Sequence, residues 1–165
     1  MVEKEATMNR HLKIALIHLD VQYRNPEVNR RELLRLNRQA ARQGADIVLN
    51  TVLSTTGYSF SSREDIAPYL ESETGETITE LAGIARDYGK YIGIGLAERD
   101  EATGIFYNSA VVIGPDGGKL LRYSKINAEA RWACPGNPLQ ENTCNTPWGR
   151  MGVLICSDTY HGLLP

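Results

Sequence analysis

An α/β fold is the class predicted by the sequence, and three features predict it. Two short β-prone runs flank one amphipathic helical stretch, a second helix of the same kind follows, and the middle of the chain alternates strand and turn signals. Residues 12–18 (Leu-Lys-Ile-Ala-Leu-Ile-His) form the first run, which reads as a buried strand. Asn25-Pro26-Glu27 then opens a helix, because proline is pre-set for the first helical position. Val28, Leu33, Leu36 and Ala40 recur on one face of it, and Gly44 supplies its stop. Residues 45–49 (Ala-Asp-Ile-Val-Leu) form a second buried strand, so the opening is β-α-β. That order implies parallel strands joined by a crossover helix.

Small and polar residues around Gly57-Tyr58 make 54–62 a loop at the end of the second strand, a place where ligands of α/β sheets tend to bind. A short helix is expected over 63–70. A firmer one is expected over 76–88, with Ile78, Leu81, Ala85 and Tyr88 on one face and Gly89 beyond its end. Strands over 91–98 and 106–114 are joined by the turn residues Asp100-Glu101-Ala102-Thr103-Gly104. Pro115-Asp116-Gly117-Gly118 leads into another strand over 119–124. From Lys125 to Trp148 periodicity fails over more than twenty residues, and loops of that length usually carry function. Finally, Pro147-Trp148-Gly149 turns the chain into the apolar run 151–155, read as a buried strand that carries Cys156 at its tip.

Composition bounds the partners. With 42% hydrophobic and 23% charged residues the chain has the make-up of a globular domain. A net charge of −2 from 18 basic and 20 acidic residues offers no electrostatic case for nucleic acid or an anionic membrane. The polar residues 1–11 form a lead without an apolar leader segment, so a cytoplasmic location is expected, and 12–165 is read as one domain. Cys134, Cys144 and Cys156 show neither C-x-x-C spacing nor any other metal pattern. A Cys134–Cys144 disulfide stays open, disfavoured by a reducing compartment. Gly93-Ile94-Gly95 lies inside a strand pattern and lacks a third glycine, which argues against a dinucleotide site.

Cys156 is the candidate nucleophile. A thiol at a strand tip projects from a sharp bend, and the following N–H, that of Ser157, can face an oxyanion on the substrate. Taken alone, the cysteine reads as a small buried hydrophobe, and Lys125 as a solvated strand-end lysine. Glu129 reads alone as a loop carboxylate, and His18 and His161 as polar surface or satisfied core residues.

Three stretches together change that reading. Tyr107-Asn108-Ser109-Ala110-Val111-Val112-Ile113-Gly114-Pro115-Asp116-Gly117 is followed by Arg122-Tyr123-Ser124-Lys125. Downstream lies Gly152-Val153-Leu154-Ile155-Cys156-Ser157-Asp158, and upstream Ala45-Asp46-Ile47-Val48-Leu49 precedes Ser54-Thr55-Thr56-Gly57-Tyr58. In this order they resemble the nitrilase, or carbon–nitrogen hydrolase, superfamily, from about Leu12 to the last residue. The resemblance implies the family's four-layer α-β-β-α sandwich, of which this chain would supply the N-terminal part, with the C-terminal part missing.

It also implies a chemistry. In that family a cysteine thiolate attacks a nitrile or amide carbon, a glutamate serves as general base, and a lysine stabilises the tetrahedral intermediate. Water then hydrolyses the thioester. By position the nucleophile is Cys156, the lysine Lys125, and the second glutamate, which helps hold the site, Glu129. An ammonium beside a thiol favours the thiolate, and a carboxylate beside that lysine keeps it charged. No metal or organic cofactor is implied.

The first glutamate is where the chain departs from the family. Counting back from Gly57-Tyr58, the family's Pro-Glu pair falls on Thr51-Val52, and neither Val52 nor its neighbours Asn50 and Thr51 can serve as a base. Ser157 stands where an aromatic residue is usual, and His161-Gly162 replaces a usual Phe-Pro pair. Asp158 favours the amidase-like branches. The expectation is therefore an amidase acting on a small non-peptide amide, carbamoyl compound or nitrile, impaired at its base. The alternative is an inactive relative that binds a ligand or pairs with another subunit. Strands left without their covering layer would favour a homo-oligomer.

Overall fold

The computed structural model describes residues 11–160. Five strands form one sheet in the order β1 (Ile14–Leu16), β2 (Ile47–Leu49), β3 (Tyr91–Arg99), β4 (Phe106–Ile113) and β5 (Lys119–Ser124). The first three are parallel and the last two pair antiparallel, with Ile14 opposite Ile47, Ile47 opposite Tyr91, and Gly95 opposite Ala110. Helix α1 (Pro26–Arg42) joins β1 to β2. Between β2 and β3 lie α2 (Arg63–Ile66), a 3-10 turn (Ala67–Tyr69) and α3 (Glu76–Tyr88). The β-α-β opening and its parallel register are thus as expected.

Local chemistry explains the helices. Pro26 occupies the first turn of α1. Gly89 ends α3 in the left-handed region (φ 62°), where its N–H reaches the Ala85 and Arg86 carbonyls. The apolar stripes of α1 and α3 pack on one face of the sheet, Leu33, Leu34, Leu81 and Ile84 against Val48, Ile92, Ile94 and Val111, and this is the main core. A second cluster of Leu53, Phe60, Ile66, Ala97, Trp132 and Ala133 packs beside it.

The opposite sheet face is open. Ile14, Ile47, Leu49, Gly93, Ala110 and Val112 line a cavity of about 600 Å³, which residues 151–156 only partly roof. β1 is consequently not the buried strand expected for 12–18, since Ile14 and Leu16 are exposed, Leu16 by 77%. At the sheet's edge it has a partner on one side only.

The largest correction concerns the cysteine strand. Residues 151–155 are not a buried strand; β7 (Gly149–Gly152) pairs only with β6 (Thr143–Thr146) in a separate two-stranded hairpin. Of the run expected to be buried, Ile155 alone is so, and Leu154 is exposed. An apolar run shows that a segment can pair but not with what, and here the polar Thr143–Thr146 strand is the partner at hand. The irregular segment over 125–148 accordingly ends in a strand. The rim of β5 is closed differently: the Gln140 side chain donates to the Ser124 carbonyl at 2.6 Å and accepts the Ser124 N–H at 2.9 Å. All three cysteines are free thiols. His18 is exposed, and His161, like residues 1–10, lies outside the described residues.

Candidate active site

Lys125 directly follows β5 and is held by both sides of its backbone. Its N–H donates to the Asn108 carbonyl at 2.8 Å, and its carbonyl accepts from Gly136 N at 2.8 Å. Gly136 has no alternative, because a Cβ there would lie 2.2 Å from the Ser124 carbonyl oxygen. The Lys125 side chain is only 2% exposed, so its ammonium needs a counter-charge. Glu129 supplies it through a direct Nζ to Oε1 hydrogen bond.

Glu129 is wired on both oxygens. Oε1 also accepts from the Tyr58 hydroxyl at 2.6 Å, and Oε2 accepts from Asn108 Nδ2 at 2.9 Å. Its own carbonyl receives the N–H groups of Trp132 (3.0 Å) and Ala133 (2.9 Å), whose buried side chains fix the loop. Burial pushes the carboxyl up, but the donors Lys125, Tyr58 and Asn108 outweigh it and hold Glu129 below the usual glutamate range. Burial likewise opposes the Lys125 charge, yet Glu129 outweighs it, helped by Tyr58 and Cys156, so the ammonium is held above its ordinary value. The Tyr58 phenol is raised, first by its bond to Glu129 and then by burial, with a further contribution from Cys156.

Cys156 opens a 3-10 turn (Cys156–Tyr160) with φ 48°, a left-handed backbone that L residues avoid. It is exposed, and it lies within electrostatic range of both Lys125 and Tyr58. The chain thus brings Lys125, Glu129 and Cys156 into one neighbourhood, with Tyr58 ring and Lys125 Nζ 5.9 Å apart. Ser157 follows, its hydroxyl donating to the Asn127 carbonyl at 3.2 Å.

Val52 sits in the turn after β2 and lines the same cavity as Cys156. The turn is tightly built. Leu53 has φ 50° and is buried, Ser54 N donates to the Gly95 carbonyl at 3.0 Å, and a Cβ on Gly95 would come within 2.7 Å of Val52 Cα. Backbone strain therefore falls on the two positions where the chemistry of this site is expected, Cys156 and the neighbour of Val52.

Against proteins of known kind, the carbon–nitrogen hydrolase family model matches residues 13–165. The chain belongs to the carbon–nitrogen hydrolase family. A nitrilase of Pyrococcus abyssi is 35% identical over 152 residues, covering 90% of this chain and 57% of that protein. The protein N-terminal amidase of Saccharomyces cerevisiae is 30% identical, covering 94% of this chain and 36% of that protein. A crystal structure of N-terminal amidase with a Gln-Val peptide superposes with a TM-score of 0.71 at 29% identity, over 82% of this chain and 33% of that one. An amidase from Nesterenkonia sp. shares the fold, with a TM-score of 0.73 at 24% identity over 92% of this chain and 57% of its own. The chain spans between about a third and just over half of these relatives' length. This places the carbon–nitrogen hydrolase chain in the nitrilase fold.

Sequence reasoning assigned no role to Tyr58 or Asn108, although both stand in the stretches that carry the resemblance. What reveals them is that they converge on one carboxylate from different elements, a contact that has no sequence signature. Among the described residues no cluster of His, Cys, Asp or Glu could hold a metal ion, and no helix is long and apolar enough to cross a membrane.

Proposed function

We propose that this chain hydrolyses the carbon–nitrogen bond of a small non-peptide amide or carbamoyl compound through a Cys156 thioester, at a rate limited by Val52. The observation that carries the reading is the buried Lys125–Glu129 pair set beside a cysteine on a strained elbow. Cys156 Sγ attacks the amide carbon, and Lys125 and the Ser157 N–H face the developing oxyanion. Ammonia or an amine then departs, and water cleaves the thioester. Among the described residues the site holds no free base. Val52 carries no proton acceptor, and Glu129 is committed to Lys125, Tyr58 and Asn108. General acid–base help is worth about 10² to 10⁴ in rate, so turnover is slow. The open apolar face, with Leu16 exposed, favours self-association of the chain.

Ammonia release from a panel of small amides and nitriles tests the reading. A slow release abolished by Cys156→Ala is expected. Val52 favours a second reading, in which the site binds such a ligand without turnover. Saturable binding of a panel compound with no release above that of Cys156→Ala would select it.

A further inference from the structure

We infer that Asp158 is the positioning residue that holds the Cys156 elbow in register with Lys125. The inference rests on the reading of Cys156 as nucleophile. Asp158 is only 2% exposed and sits two residues after the cysteine, in the same 3-10 turn. Its Oδ1 accepts the Asn127 N–H at 2.8 Å, and its Oδ2 accepts the Tyr123 hydroxyl at 2.8 Å. Longer contacts of 3.4 Å run from Oδ2 to the N–H groups of Ile126 and Ile155.

The position of these donors in the chain gives the contact its meaning. Tyr123, Ile126 and Asn127 flank Lys125 on both sides, whereas Ile155 immediately precedes Cys156. One carboxylate therefore ties the segment that carries the ammonium to the segment that carries the thiol. Ser157 adds a second tie, its hydroxyl donating to the Asn127 carbonyl. Two bonds inside the turn shape the elbow: Asp158 N to the Ile155 carbonyl at 3.1 Å and Thr159 Oγ1 to the Cys156 carbonyl at 2.8 Å. A left-handed φ at a residue with a Cβ persists only where its surroundings over-determine it, and the exposed Cys156 makes little packing of its own. The buried carboxylate does that work instead. Burial and the bond to Asp158 together raise the Tyr123 phenol, so it stays a donor throughout the neutral range.

Asparagine at 158 is the informative substitution, because it keeps the shape and replaces one of two acceptor oxygens by an N–H donor that faces other donors. The measurement is the rate of iodoacetamide alkylation of each thiol in the full chain, followed by peptide mapping, with thermal melting alongside. In the parent, Cys156 is expected to react faster than Cys134 and Cys144. A Cys156 no faster than the other two would overturn both the nucleophile reading and this inference. In Asp158→Asn, the Cys156 rate is expected to fall about tenfold or more while the other two stay within about twofold. If Asp158→Asn does not melt cooperatively, Tyr123→Phe takes its place, with a smaller fall of about threefold expected at Cys156 alone. In whichever variant is folded, an unchanged Cys156 rate, or a similar change at all three thiols, sinks the inference and leaves the nucleophile reading standing.

A double-mutant cycle with Lys125→Met, or Lys125→Gln should the former not fold, separates positioning from mere support. If Asp158 acts by placing the thiol near Lys125, the Lys125 change should slow Cys156 in the parent but cost less than about threefold once Asp158 is altered. Independent, multiplying effects would show a purely structural carboxylate and overturn the proposal.

Discussion

The Lys125 pocket and the Val52 turn are two halves of one candidate site, built in opposite ways. Around Lys125 both scaffold and chemistry are present: a buried ammonium, a carboxylate with donors on both oxygens, and a glycine that lets the backbones meet. Around Val52 only the scaffold is present. Leu53 still adopts its strained φ, and Gly95 still leaves room for the turn to cross β3, yet the side chain is aliphatic. Turn geometry follows from backbone contacts to Gly95, which tolerate many side chains at 52. A buried charge pair tolerates no such change, because each partner left alone costs far more than the pair contributes. The turn at 52 therefore tolerates a change of side chain that the Lys125–Glu129 pair does not.

The sharpest way to break the comparison is Glu129→Ala. It leaves the buried Lys125 ammonium without its counter-charge and is expected to destabilise the fold by about 3–5 kcal/mol, read from urea unfolding. A loss near that of a surface charge would mean that the pair is not buried in solution. Next comes Val52→Glu. With the chain joined to the remaining length of a relative, it should raise amide hydrolysis by about 10²-fold or more. In the 165-residue chain alone little recovery is expected, because Cys156 stays open to water. Equal activity with valine and glutamate in the joined chain would place the base elsewhere.

Gly95→Ala attacks the turn without touching the Lys125 pocket. Its Cβ meets backbone at Val52, so a loss of about 1–3 kcal/mol is expected, with Cys156 alkylation little changed. Smaller still, Tyr58→Phe removes one of three donors to Glu129 and should cost about 1 kcal/mol. The pH dependence of stability has a worked sign. Glu129 is depressed in the folded chain, so its contribution is present above its ordinary value of 4.5 and is lost as pH falls through the lower folded value. Lys125 and Tyr123 are raised, so theirs is complete below their ordinary values of 10.5 and 10.0 and is lost as pH rises beyond them. Melting temperatures between pH 3 and 11 should therefore fall at both ends. A flat acid limb in Glu129→Gln would assign that limb to Glu129.

The sequence by itself determined what depends on neighbours along the chain. Pro26 and Gly89 bound their helices through backbone rules, and the stripes of α1 and α3 were legible because helical periodicity is written residue by residue. The motif order carried the family, and with it the candidate residues Lys125, Glu129 and Cys156. Only the tertiary structure decided which partners those residues meet. That Met151 pairs with Cys144 in a hairpin depends on competition among strands, which no apolar run records. That Lys125 is buried, that Tyr58 and Asn108 share its carboxylate, and that Asp158 ties the elbow to the Lys125 segment depend on elements distant in sequence converging at one point. The physical reason is one of range: propensity and periodicity act over a few residues, whereas burial and hydrogen-bond satisfaction are set by whatever the closed fold places next to each group.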